Sequence, residues 1–156
     1  MNWNWQQKAL VEAEFPTGAS VRLTIGSIST YEKGVYNALL QEARDLIKER
    51  HGAEAKDYLA DNDPERLSEW GNYHNRAVML ATLLKVEAKE DADSEWEMTE
   101  LPDEWRAIET FAKSIPIDLA NQWVVEAINL NPGQFLALPG DDEKKSVKVS
   151  SSKLPS

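Results

Sequence analysis

The chain has 156 residues, 42% apolar and 28% charged, which suits one globular domain with its own core and excludes a disordered polymer. It contains no cysteine, so a disulfide framework, a thiolate zinc site and a cysteine nucleophile are excluded. Seventeen Lys and Arg against 27 Asp and Glu give a formal net charge of −10. That field repels phosphate backbones and anionic membranes and favours protein partners with basic patches.

Residues 1–7 read as an N-terminal arm, Met1-Asn2-Trp3-Asn4-Trp5-Gln6-Gln7, with neither the basic start nor the apolar core of a signal peptide. The longest apolar run, Ala77 to Leu84, falls short of the ~18 residues a spanning helix needs. These features predict a cytoplasmic protein.

A β-hairpin comes next. Ala9 to Phe15 partly alternates apolar and polar residues, Pro16-Thr17-Gly18 supplies turn chemistry, and Val21, Leu23 and Ile25 share one face of a second strand. A lone hairpin is marginal in water, so it must pack on the helices that follow. The first helix is predicted from Thr30 or Tyr31 to about Arg50. Ser29 and Glu32 have capping-box spacing, Val35, Leu39, Ala43, Leu46 and Ile47 form an apolar face, and Gly52 ends it. Gly34 inside it costs stability relative to Ala.

Glu54 to Leu59 can add a short helical turn. Asp63 as N-cap and Pro64 at the first position open the second long helix, predicted to reach about Ala88 with Leu67, Trp70, Ala77, Ala81 and Leu84 inward. From Glu87 to Glu104 there are nine acids and one base, which read as an exposed acidic connector. Asp103 and Glu104 begin a third helix carrying Trp105, Ile108, Phe111, Ala112 and Ile115, and Pro116 breaks it. Ile117 and Asp118 start a fourth, with Leu119, Ala120, Trp123, Val124, Ala127 and Ile128 inward, ended by Asn129 to Gly133. The whole is mainly α (α+β): an N-terminal hairpin packed on about four helices, one domain over residues 8–136, and a flexible polar tail over residues 137–156.

No catalytic, metal or cofactor motif emerges. His51 sits at a helix end, where a cation suits the dipole, and His74 has no nucleophile elbow to serve. Asp91, Asp93, Glu95 and Glu97 alternate like the start of a calcium loop. An EF-hand needs Gly at its sixth position and Glu at its twelfth, and these hold Trp96 and Pro102. Phosphate-binding Gly patterns are absent. The expectation is a non-enzymatic binding protein without cofactor or metal, binding neither nucleic acid nor membrane.

Six tryptophans are many for this length. Trp70, Trp105 and Trp123 fall at helical core spacing. Trp3, Trp5 and Trp96 do not, and with Met98 they are the candidate partner contacts. The competing reading is that these indoles fold back on the domain.

The order of parts resembles the phage tail assembly chaperones. The likeness rests on three features: the hairpin before a helical body; the stretch from Leu101-Pro102-Asp103-Glu104-Trp105 through Trp123-Val124-Val125 to Asn129-Leu130-Asn131-Pro132; and the charged, serine-rich tail. It implies a non-enzymatic protein of the host cytoplasm. Such a protein coats the helical tape measure protein, keeps it soluble and recruits tail-tube subunits. The resemblance also implies a longer frameshifted form, for which Glu143-Lys144-Lys145 would suit an A-rich run. The alternative, motivated by the acids between Glu87 and Glu104, is an acidic inhibitor or nucleic-acid mimic that binds a basic host protein. A third reading, an enzyme working through carboxylates, has no arrangement of residues to support it.

Overall fold

The structure, a computed structural model, describes residues 5–99 and 105–135. Strands β1 (Lys8–Glu14) and β2 (Ser20–Gly26) form the expected antiparallel hairpin with Val11 opposite Leu23. Gly18 takes a φ of 91° in the turn, where a side chain would be strained, and the Phe15 N–H donates to the Ala19 carbonyl at 2.8 Å. Val11, Leu23 and Ile25 are fully buried, so the alternation read from the sequence does mark the inner face. Gly26 ends β2 against Leu84 and Gln6, which leave no room for a Cβ.

Helix α1 (Thr30–His51) opens where expected, with the Ser29 N–H donating to the Glu32 carboxylate at 3.2 Å. Gly52 closes it in the left-handed conformation, its N–H on the Lys48 carbonyl at 2.9 Å. A single turn, α2 (Ala55–Tyr58), leads to α3 (Pro64–Thr82). The Asp63 carboxylate caps α3 by accepting from the N–H groups of Glu65 and Arg66 at 2.9 and 3.2 Å.

The structure departs from the sequence expectation in the segment that follows α3. The second long helix does not reach Ala88. It stops at Thr82, and the chain runs directly into strand β3 (Leu83–Lys89). The apolar run through Leu84 has no period that separates helix from strand, and pairing with β2, Val86 opposite Leu23, settles the matter. Thr82 marks the junction: its hydroxyl bonds back to the Val78 carbonyl at 2.8 Å and accepts the Trp123 indole N–H at 3.0 Å. Nor is Glu87 to Glu104 a bare connector. Glu87 lies within β3, and Glu97 to Thr99 form strand β4 (Glu97–Thr99), antiparallel to β3. The sheet order is β1-β2-β3-β4. The expected helix start at Asp103 and Glu104, the Leu101-Pro102 stretch, Trp3 and the tail over residues 137–156 lie outside the described residues.

Helices α4 (Trp105–Ser114) and α5 (Ile117–Leu130) complete an α+β fold. Pro116 separates them, as the sequence predicts. Helix α1 packs on α3, and α5 lies across β1 and β2 while also touching α3. Small side chains allow α5 this close approach: Ala9 and Ala13 on β1, Ala120 and Ala127 on α5. Trp70 and Trp123 fill the interior, as their spacing predicts. Among the described residues no helix is long and apolar enough to cross a membrane.

Asn131 is 4% exposed and ties the end of α5 to the exit of β2. Its side-chain oxygen accepts the Ile28 N–H at 2.8 Å, and its amide donates to the carbonyls of Ala127 at 2.8 Å and Gly26 at 3.4 Å. Asn131→Ala orphans a partly buried N–H and should cost about 1–3 kcal/mol in urea unfolding, with an unchanged denaturant slope. Gly34 is exposed inside α1 with open space around its missing Cβ. Gly34→Ala should therefore stabilise the same transition by about 0.5–1 kcal/mol.

Candidate functional site

The candidate site is built on the β3–β4 hairpin. Asp91 sets its turn, accepting the Asp93 N–H at 3.0 Å and the Ser94 hydroxyl at 2.9 Å. Those bonds hold the Asp91 carboxyl below the ordinary range, the Ser94 hydroxyl contributing most. The alternating acids therefore form an ordered hairpin turn, and among the described residues no cluster of His, Asp and Glu is arranged to hold a metal ion.

On the open face of the sheet, Glu12, Arg22, Glu87 and Met98 stand in one row across all four strands. The Arg22 guanidinium grips Glu87 with two bonds, Nε–Oε1 at 3.1 Å and Nη2–Oε2 at 3.0 Å, and reaches Glu12 at 3.6 Å. It also lies 4.3 Å from the centroid of the Trp96 ring, with Lys89 Nζ at 4.8 Å from the same ring. Two cations therefore seat one indole, a favourable use of the ring's negative face. Trp96 is thus a half-buried residue whose orientation follows from the charge row beneath it.

Between this hairpin and the end of α4 lies a groove of about 720 Å³. Trp96 and Met98 of the hairpin, Phe111, Ile115 and Pro116 at the end of α4, and Phe15, Val21 and Ala88 are among the residues that line it. Glu90, Glu95 and Glu97 edge it with negative charge. Met98 is 64% exposed, an apolar side chain with little cover. The lining thus mixes aromatic and aliphatic side chains with carboxylates and Lys89.

Of the residues singled out in the sequence, Trp96 and Met98 come together on this groove. Trp5 does not. It is 78% exposed and sits at the other end of the sheet, two residues before Gln7, whose carbonyl accepts the Ser27 N–H at 2.8 Å. Phe15, Phe111 and Ile115 escaped the sequence reading as contact residues. Their periodicity marks them as core, and nothing local tells a core position from one at the mouth of a groove.

The histidines have structural partners. His74 is buried with its Nε2 at 2.9 Å from the Tyr36 hydroxyl. His51, read as a dipole residue, also faces Glu69 at 3.1 Å and stacks on Tyr58 with ring centroids 4.3 Å apart. The Tyr58 hydroxyl donates to Glu69 at 3.0 Å, and burial, then Glu69, pushes that phenol up. These contacts fasten the end of α1 to α3.

Arg22 holds the Glu87 carboxyl below the usual range against the opposing effect of desolvation. Carboxyl NMR should place its midpoint below the ordinary glutamate range in the wild type and return it upward in Arg22→Ala. The folded value lies below the unfolded one, so the pair's stabilisation is complete at neutral pH and is lost as pH falls through the lowered value. Unfolding midpoints of wild type and Arg22→Ala should converge in that acid range.

Compared with known proteins, the chain matches no protein-family model, no curated protein and no solved structure.

Proposed function

We propose that this protein is a non-enzymatic assembly chaperone that holds a helical tape measure protein during phage tail morphogenesis. One observation carries the reading: a groove whose lining brings together Trp96, Met98, Phe111 and Ile115 with Glu90, Glu95 and Glu97. A long helix with an apolar stripe associates wrongly unless that stripe is covered. An aromatic groove covers it, and ten net negative charges keep the complex dispersed. Basic residues beside the stripe would meet the acidic rim. The partners are then the tape measure protein and, through it, tail-tube subunits, in the cytoplasm of the host.

A second reading has its own supporting observation. The acids from Glu90 to Glu97 stand on an ordered hairpin, and a nucleic-acid mimic needs rigid carboxylates. Against it, Glu87 is spent on Arg22, and Lys89 lies among the acids. A mimic would form a complex with a basic host protein that weakens steeply with salt, whereas a groove built on apolar contact holds its partner in salt.

The test is co-expression with the long helical protein encoded beside it, which should be a tape measure gene following a tail-tube gene. The complex should form, and Trp96→Ala should weaken it by about 2 kcal/mol, roughly thirtyfold in Kd. Trp5→Ala should leave Kd unchanged. Neighbouring genes unrelated to tails, or a complex indifferent to Trp96, would sink the reading.

A further inference from the structure

The two edges of the sheet are treated differently. Strand β4 has three residues, too short to template another strand. Strand β1 has seven, with neither Pro nor bulge, and no described residue pairs with its outer side. Gln7 accepts from the Ser27 N–H and Phe15 donates to the Ala19 carbonyl, so the odd-numbered residues direct their backbone groups toward β2. The even ones, Lys8, Leu10, Glu12 and Glu14, turn theirs outward.

We propose that this edge binds a second copy of the chain, β1 pairing antiparallel with β1 about a two-fold axis at Val11. In that register Lys8 lies opposite Glu14 of the second copy, Leu10 opposite Glu12, and no like charges face each other. The outward-turned residues are then the ones that exchange hydrogen bonds, about eight in all, in one continuous sheet. The self-complementary charge order identifies a second copy as the occupant.

Helix α5 agrees with this pairing. Going round it, Trp123 faces Thr82 on α3, Ala120, Val124 and Ala127 follow, and Ile117 and Ile128 come next, on the flank away from α3. Ile117 is 74% exposed and Ile128, expected on the inner face, 41% exposed, an apolar flank of α5 turned from Trp123. Because α5 lies across β1 and β2, strand spacing of about 4.8 Å places the two copies' α5 axes roughly 10 Å apart across the axis, a normal helix-packing distance. The Trp96 and Met98 side of the groove is at the opposite edge of the sheet, and Phe15, which follows Glu14, lines its β1 end.

Lys8 and Glu14 are exposed and make no ion pair with described residues, so reversing them spares the monomer fold. Sedimentation velocity on the full chain, from micromolar to millimolar at about 0.15 M salt, should show a monomer–dimer equilibrium. Lys8→Glu and Glu14→Lys should each raise the dimer Kd about tenfold, and the double exchange should restore it. Net charge alone predicts otherwise: Lys8→Glu makes the chain more negative and weakens association, whereas Glu14→Lys makes it less negative and strengthens it. Circular dichroism of each variant should match wild type. A chain that stays monomeric at millimolar concentration, a dimer strengthened by Glu14→Lys, or a double exchange that does not restore association would each overturn the proposal.

Discussion

Strand β2 is paired on both sides, with β1 through Leu23 and Val11 and with β3 through Leu23 and Val86, and its inner residues are where sheet and helices meet. A sheet with one buried face is stable only if that face is covered along its length. Helix α5 covers β1 and β2 because alanines on both elements let it come close, and Trp123 then reaches the hydroxyl of Thr82. That bond joins the last helix to the point where α3 becomes β3. Along the chain the hairpin comes first and the third strand some 60 residues later, so the β2–β3 pairing is non-local. Non-local pairings of this kind carry a loop-closure entropy that pairings within a hairpin do not.

The open face follows a different rule. It keeps no large apolar cluster among the described residues but a row of alternating charge, with Arg22 at its centre. An arginine held by Glu87 on one strand and near Glu12 on another fixes the register of three strands at once, since a one-residue slip would turn it to the inner face. The same guanidinium presents its flat side to Trp96. Structural charge and contact surface are thus not separate systems. The indole that walls the groove rests on the ion pair that registers the sheet.

Placement of the two surfaces matters for the proposed role. In the proposed dimer, pairing through β1 would leave the Trp96 and Met98 side of the groove, at the other edge of the sheet, for a partner. Doubling the groove on a two-fold frame would let a long, repetitive helix be held at two points, which raises effective affinity without new contacts. The tail-chaperone reading does not require this, and the edge pairing does not depend on the identity of the partner.

Much of the fold was legible in the residues. The face of each hairpin strand, the caps at Ser29, Asp63 and Gly52, the break at Pro116 and the core roles of Trp70 and Trp123 all follow from local chemistry or from a period that one element imposes on its neighbours. The stretch from Ala81 to Thr99 was not legible. Its apolar half suits helix or strand alike, and its acidic half has the composition of a solvated loop. Only pairing with β2 makes the first a strand, and only Arg22, distant in sequence, gives Glu87 and Trp96 their places. The groove was hidden for the same reason. Trp96 and Met98 stood out by lacking a core period, whereas Phe15, Phe111 and Ile115 carry one. Whether a periodic apolar residue ends in the interior or at the mouth of a groove depends on where the elements stop against one another, which only the tertiary structure decides.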